Sequence, residues 1–381
     1  MQSGIEQTEL RPWVGSFAGR ISDPVVRLRF LRAVAPPPVS APAERWRRVF
    51  RFLLPVASAA FLLSLTLMQA ASRIEIAAVT VRDSVAPQMP PLKPSPEVWL
   101  VEKKGDEEVY SNGLRIDNRL AVSNHLRSYR VFPANGKGPP VHGTQPIGIV
   151  FHTTESRQAP FEAEQNGLLK KIGESLLEYV QRKQAYNFLV DRFGRVYRIV
   201  TESDAANHAG HSVWSDGKWL YLNLNESFLG VSVEAQTDPG QVDDRMSMAQ
   251  LRATTMLTEM LRSRYAIEAE NCVTHAQVSV NPSNMRVGYH TDWASGFPFE
   301  SIGLPDNYAR PLPALAAFGF ESDAAFLQAA GARLALSVKL AEDRLQQQAI
   351  ARGLSLRGYR KLLQDRYRER LSEVHQTTSG M

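Results

Sequence analysis

Between Phe52 and Ser72 the chain reads FLLPVASAAFLLSLTLMQAAS, 21 residues without a charge, bounded by Arg51 and Arg73. A helix needs about 20 apolar residues to cross the hydrocarbon core of a bilayer. The run therefore predicts one transmembrane helix over 52–72, which separates everything else into two compartments. Pro55 falls in its first turn, where the missing N–H is tolerated. Arg45, Arg47, Arg48 and Arg51 precede the run, whereas Arg73, Glu75, Arg82 and Asp83 behind it nearly cancel. The positive-inside rule then places the N-terminus in the cytoplasm and the long C-terminal portion outside. Two other readings of the run are a buried core helix and a signal peptide cleaved after Ala70–Ala71. A leader of 51 residues is long for the latter.

The flanks divide by composition. The net charge is +5, and residues 1–51, with nine Arg and four acidic residues, account for all of it. The other 330 residues sum to zero, which excludes a chain built as a whole to bind nucleic acid. Residues 1–51 read as an Arg- and Pro-rich cytoplasmic tail. Five prolines in SVAPQMPPLKPSPEV (84–98) make 73–98 a stiff, extended linker. A mixed α/β domain is expected over 99–304. IGIVF (147–151) and LGVSVEA (229–235) have the continuous apolar character of buried strands, and YNFLV, Asp191–Gly194 and RVYRIV read as a hairpin. Leu169, Ile172, Leu176 and Val180 recur at helical spacing. Ser247 with Gln250 makes a capping box ahead of another helix. Pro305, Pro311 and Pro313 mark a boundary, and 305–381 reads as a helical C-terminal region with one stripe at Leu334, Val338, Ala341 and Leu345 and a second at Tyr359, Leu363, Tyr367 and Leu371. The single cysteine, Cys272, excludes an internal disulfide and a multi-cysteine metal cluster.

Chemistry concentrates in the eight histidines. His152 closes the first buried strand in FHTTES. His208 and His211 lie in ANHAGHS, His275 in VTHAQ, and His290 in YHTDW, two residues before Asp292. Three His or carboxylate ligands with one position left for water are the usual make-up of a catalytic zinc site. No pair here has the helical His-x-x-x-His spacing, so any such site must be assembled from distant segments. An extended stretch would turn Cys272 and His275 to opposite faces.

In order, the chain reads IGIVFHTTES, AYNFLVDRFGRVYRIV, ANHAGHS, NESFLGVSVEA and VTHAQVSVNPSNMRVGYHTDW. This succession resembles the zinc-dependent N-acetylmuramoyl-L-alanine amidases of the second type, the superfamily that includes the peptidoglycan recognition proteins. The resemblance spans roughly 145–300. It implies a mixed central sheet flanked by helices, a Zn²⁺ cofactor, and hydrolysis of the amide between N-acetylmuramic acid and L-alanine of peptidoglycan. His152 matches the first zinc ligand, His275 the second and Asp292 the third, with His290 the runner-up for that place. His290 stands where the family has an oxyanion-stabilising lysine, and the Pro-Gly that usually follows the aspartate is replaced by Trp293-Ala294. Where the family has Gly-Ile-Glu, this chain has Gly230-Val231-Ser232, with the glutamate two residues on at Glu234. Residues i and i+2 of a strand share a face, so Glu234 is the candidate base. Tyr186, matching a tyrosine beside the metal, is the alternative for orienting the water. His208 and its neighbour Asn207 match the Trp-His-Ala-Gly segment and imply substrate contacts.

With one cysteine and one anchor, the expected setting is a bacterial inner membrane, single-pass, with the catalytic domain periplasmic and peptidoglycan as partner. The altered HTDW run and the shifted glutamate keep a non-catalytic peptidoglycan-binding receptor open. Residues 342–373 hold eight basic and five acidic residues, a solvated helical face or a docking element for an envelope protein.

Overall fold

The computed structural model describes residues 97–236, 246–322 and 324–378. The tail over 1–51, the apolar run at 52–72 and nearly all of the linker lie outside these. Among the described residues no helix is long and apolar enough to cross a membrane.

The described strands are β1 (Leu100–Lys104), β2 (Glu107–Tyr110), β3 (Arg115–Asp117), β4 (Tyr129–Pro133), β5 (Val141–Gly143), β6 (Gly148–Thr153), β7 (Phe188–Val190), β8 (Val196–Arg198), β9 (Val213–Ser215), β10 (Trp219–Leu222), β11 (Phe228–Val233), β12 (Cys272–Thr274), β13 (Val280–Asn281) and β14 (Arg286–Val287). The α-helices are α1 (Asn166–Lys183), α2 (Leu224–Ser227), α3 (Met248–Tyr265), α4 (His275–Val278), α5 (Pro313–Phe318), α6 (Ala324–Ala351) and α7 (Leu356–Thr378). An eight-stranded mixed sheet has the order β1-β2-β3-β8-β7-β11-β6-β12, and a four-stranded antiparallel sheet the order β5-β4-β10-β9. The mixed α/β architecture is that expected from the sequence.

The centre of the large sheet is parallel: β11 runs alongside both β6 and β7, and β12 alongside β6. A parallel strand covered on both faces needs apolar residues at every step. GIVFHT and FLGVSV are accordingly buried throughout. On one face, Ile149, Phe151, Leu229 and Val231 pack with Leu257, Met260 and Leu261 of α3. The start of α3 is fixed by the expected box: Ser247 Oγ accepts from Gln250 N–H at 3.1 Å, and Gln250 Oε1 accepts from Ser247 N–H at 3.0 Å. On the other face, Val150, Phe228 and Val273 meet Val131, Trp214 and Tyr221 of the small sheet. Leu176 and Val180 of α1 cover Leu189 and Tyr197 further along.

The prolines at 305–313 divide elements rather than cores. Phe318, Leu334, Val338, Ala341, Leu345, Tyr359, Leu363 and Tyr367 are buried in the same apolar cluster as Ile149, Phe132 and Leu220. The C-terminal helices therefore cover the outer face of the small sheet. Gly331, with φ 77°, interrupts the helical backbone of α6. A Cβ there would meet Ser295 Oγ at 2.9 Å, so the break is where this helix approaches the loop that follows Asp292.

Candidate metal centre

The three parallel strands β11, β6 and β12 end at the same edge, where polar side chains of open α/β sheets gather. His152 is the fifth residue of β6 and lies level with Ser232 of β11. His275 comes directly after β12 and opens α4. There Gln277 Oε1 accepts from Thr274 N–H at 2.9 Å, so the strand turns sharply into the helix. Asp292 arrives from the loop after the β13–β14 hairpin. Its carbonyl accepts from Ala276 N–H at 3.2 Å, which ties this loop to the start of α4.

Asp292 Oδ2 lies 3.2 Å from His152 Nδ1, and its Oδ1 lies 2.9 Å from His275 Nδ1. One ligand atom from each of the three residues falls within 4.8 Å of the others, and all three residues are buried. Donors about 2.0–2.1 Å from a tetrahedral zinc stand roughly 3.3 Å apart, and the two distances from Asp292 to the imidazoles match that separation. The donor set fits too: two imidazoles and one carboxylate leave a fourth position. Burial, reinforced by His275, lowers the His152 pKa to about 4, so its imidazole is neutral at pH 7, the ligating form. Burial would raise the Asp292 carboxyl, but His275 and His152 hold it well below the usual range. His275 Nε2 is buried without a hydrogen-bond partner, so only its Nδ1 is engaged.

His208 sits behind His152 rather than among the ligands. Its Nδ1 is 3.1 Å from His152 Nε2, and its own Nε2 is 3.3 Å from the Phe228 carbonyl. Since a carbonyl only accepts, His208 Nε2 carries a proton. Its neutral Nδ1 then accepts from His152 Nε2–H, and the His152 Nδ1 lone pair is left facing Asp292 and the ion position. This chain fixes the His152 tautomer, as outer partners of ligating histidines generally do. Gly230 makes room for it: a Cβ there would lie 2.7 Å from His208 Cγ.

Tyr186, held at a left-handed φ of 64°, places its ring 5.1 Å from that of His152. Burial, with Asp292 adding to it, pushes the phenol well above its ordinary value, so Tyr186 is a hydrogen-bond donor at neutral pH. Ser232 lies beside it. His290 stacks on His275 at 4.4 Å and 21°, which places it alongside the ligands. Trp293 is a buried anchor for Asp292. Its indole packs on Phe297 and its carbonyl accepts from Tyr308 O–H at 2.5 Å.

Two expected site residues are turned elsewhere. Glu234 shares the sheet face of His152, as its spacing from Ser232 implies, but β11 ends at Val233. Beyond that point its Oε2 accepts from Arg192 N–H at 3.1 Å, on the β7–β8 turn. It lines a cleft of about 660 Å³ between α1 and that hairpin. Asn207 is exposed, and its amide donates to the Lys183 carbonyl at the end of α1. Cys272 is buried in the core, and burial pushes its thiol up to about 12, so it is inert packing.

Other supporting residues have no signal in the sequence. Arg127 is buried and donates to the carbonyls of Glu202, Asn225, Glu226 and Phe228 and to Asn187 Oδ1. Asn187 Oδ1 also accepts from Gly230 N–H at 3.0 Å, and Asn225 Oδ1 accepts from the N–H groups of His208 and Ala209. Together they fix the loop and strand that carry the His208 relay.

Residues 142–292 match the family described as N-acetylmuramoyl-L-alanine amidase. Among solved structures, AmpDh3 of Pseudomonas aeruginosa in complex with anhydromuramic pentapeptide is 19% identical, with a TM-score of 0.32, covering 44% of this chain and 62% of that one. The N-acetylmuramyl-L-alanine amidase AmiD of E. coli is 20% identical, with a TM-score of 0.31, over 52% of this chain and 65% of that one. The peptidoglycan recognition protein SD of drosophila is 15% identical, with a TM-score of 0.26, over 42% and 84%. No curated protein matches the chain. The segment that matches the N-acetylmuramoyl-L-alanine amidase family, residues 142–292, contains His152, His275 and Asp292.

Proposed function

We propose that this protein hydrolyses the amide between N-acetylmuramic acid and L-alanine of peptidoglycan, using a zinc ion held by His152, His275 and Asp292. The observation that carries this reading is the convergence of those three side chains within a family-matched domain. The uncharged run 52–72 and the arginines before it support a membrane-anchored protein whose domain faces the periplasm, where that polymer lies.

When bound there, zinc supplies Lewis acidity toward the amide carbonyl and lowers the pKa of a water. The chain's own residues do the rest. The His208 relay holds His152 in the ligating tautomer. Tyr186 keeps its proton, so it orients the reacting carbonyl or water rather than acting as a base. His290, beside His275, is placed to donate a hydrogen bond to the oxygen that gains charge as the amide is attacked, the largest single contribution in most acyl-transfer sites. The C–N bond then breaks, and the stem peptide leaves with a protonated amine.

One observation favours a second reading. The residue level with His152 on β11 is Ser232, and Glu234 is hydrogen-bonded away on the hairpin turn. A site without a nearby base would suit a receptor that binds peptidoglycan without cutting it. Incubating the full-length protein with purified peptidoglycan and analysing released material by mass spectrometry separates the two. Free stem peptides, absent with His152→Ala, support the amidase. Retention on the polymer without release supports the receptor and overturns the hydrolase.

A further inference from the structure

A second cleft, of about 510 Å³, opens where the C-terminal helices meet the small sheet. Its walls come from the end of β4, the β9–β10 turn, the start of α5 and the facing sides of α6 and α7. It shares no residue with the metal cluster. Four arginines line it: Arg310, Arg344, Arg352 and Arg366.

Their charges are poorly matched. Arg310 pairs with Glu270 at 3.2 Å. Arg352 donates to the Tyr359 hydroxyl at 3.0 Å, and Arg366 to the Ala134 carbonyl at 3.3 Å. Among the described residues Arg344 has no hydrogen bond or ion pair. Asp216 is the one acidic residue in the lining. Its carboxylate already accepts from Lys218 N–H at 2.8 Å, Trp219 N–H at 2.7 Å and the Tyr221 hydroxyl at 2.5 Å. Burial and the nearby Arg370 lower the basicity of Arg366, outweighing the opposite pull of Glu369. Guanidinium groups present planar forks that match oxyanions. Three such groups without carboxylate partners exceed what one carboxylate can engage, but suit the several oxygens of a phosphate.

We propose that this cleft is a binding site for a phosphate-type oxyanion, either a free or polymer-borne phosphate or the headgroup of an anionic lipid. The proposal is independent of the amidase reading. It gives a role to the arginines that the helices after residue 305 bring to one cleft, Arg344 and Arg352 exposed at its mouth and Arg310 and Arg366 half-buried in its wall.

The test titrates the full-length protein in neutral detergent with inorganic phosphate at constant ionic strength, read by calorimetry and thermal denaturation. Saturable binding and a raised Tm are expected. Arg344→Gln and Arg352→Gln should each weaken binding by about tenfold, the loss of one charge-assisted contact, without changing peptide release. A parallel titration with glycerophosphoglycerol, the deacylated headgroup, distinguishes the sources: binding tighter than phosphate assigns the lipid, weaker binding a phosphate or phosphorylated polymer. No saturable response to phosphate, a response equalled by chloride, or equal response from the variants would overturn the proposal.

Discussion

His208 acts on the proposed centre through another residue. Its hydrogen bonds to His152 Nε2 and the Phe228 carbonyl set which imidazole nitrogen is free to ligate. Removing such an outer partner weakens metal binding roughly 10–100-fold. His208→Ala should therefore lower zinc affinity by that factor in a competition titration with a chromophoric chelator, with the fold intact by circular dichroism. Gly230→Ala should act in the same direction, because the new methyl group would displace the His208 ring. Unchanged affinity in both variants would show that the relay has no bearing on the metal. At this scale the sequence was informative wherever a residue type is tied to chemistry. His152, His275 and Asp292 could be named from the order of five short segments. Strand parity puts Glu234 on the face of His152, but that parity holds only as far as the strand, which stops at Val233. Arg127 and Asn187 carry no such signal, because most of their partners are backbone groups of distant loops, which leave no trace in residue spacing.

At the scale of elements, the loop after β14 carries Asp292, and Trp293 is its fixed point. Deleting a buried aromatic side chain of this kind costs about 3–5 kcal/mol. Trp293→Ala should lower the Tm and loosen zinc binding together, whereas Trp293→Phe should recover most of both. The hairpin side of the sheet is held differently. Arg198 of β8 forms a two-pronged pair with Glu202 at 2.8 and 3.0 Å and meets Glu108 of β2 at 3.0 Å. All three are buried, so breaking one pair leaves a charge without its partner. Burial would raise Glu108, but Arg198 and the Tyr110 hydroxyl outweigh it and hold the carboxyl below its ordinary value. A carboxylate with a depressed folded-state pKa stabilises the fold fully above the unfolded value of about 4.3 and loses that contribution as pH falls through the folded value. Acid melting should therefore steepen below about pH 4.3, and Glu108→Gln should flatten that dependence while lowering stability at pH 7. An identical pH profile in the variant would contradict this assignment.

Over the whole molecule, the C-terminal helices complete the core around the small sheet. The two apolar stripes on α6 and α7 were legible in the sequence, since Leu334, Val338, Ala341 and Leu345, and Tyr359, Leu363 and Tyr367, are all buried. What they cover was not, because a stripe states that a helix is buried and not against which element. Truncation after residue 322 would expose Phe132, Leu220 and Phe318. The shortened protein should fail to melt cooperatively, and a sharp transition near the full-length Tm would show instead that the helices are a separate domain. The proposed hydrolysis requires His152, His275 and Asp292 to form a working zinc centre. The measurement that tests this most directly is zinc add-back to the chelated full-length protein, with release of stem peptides from purified peptidoglycan as the readout. Recovery that saturates near one zinc per chain, and is absent in Asp292→Ala, is the predicted result. Peptide release that persists after chelation, or in Asp292→Ala, would contradict it.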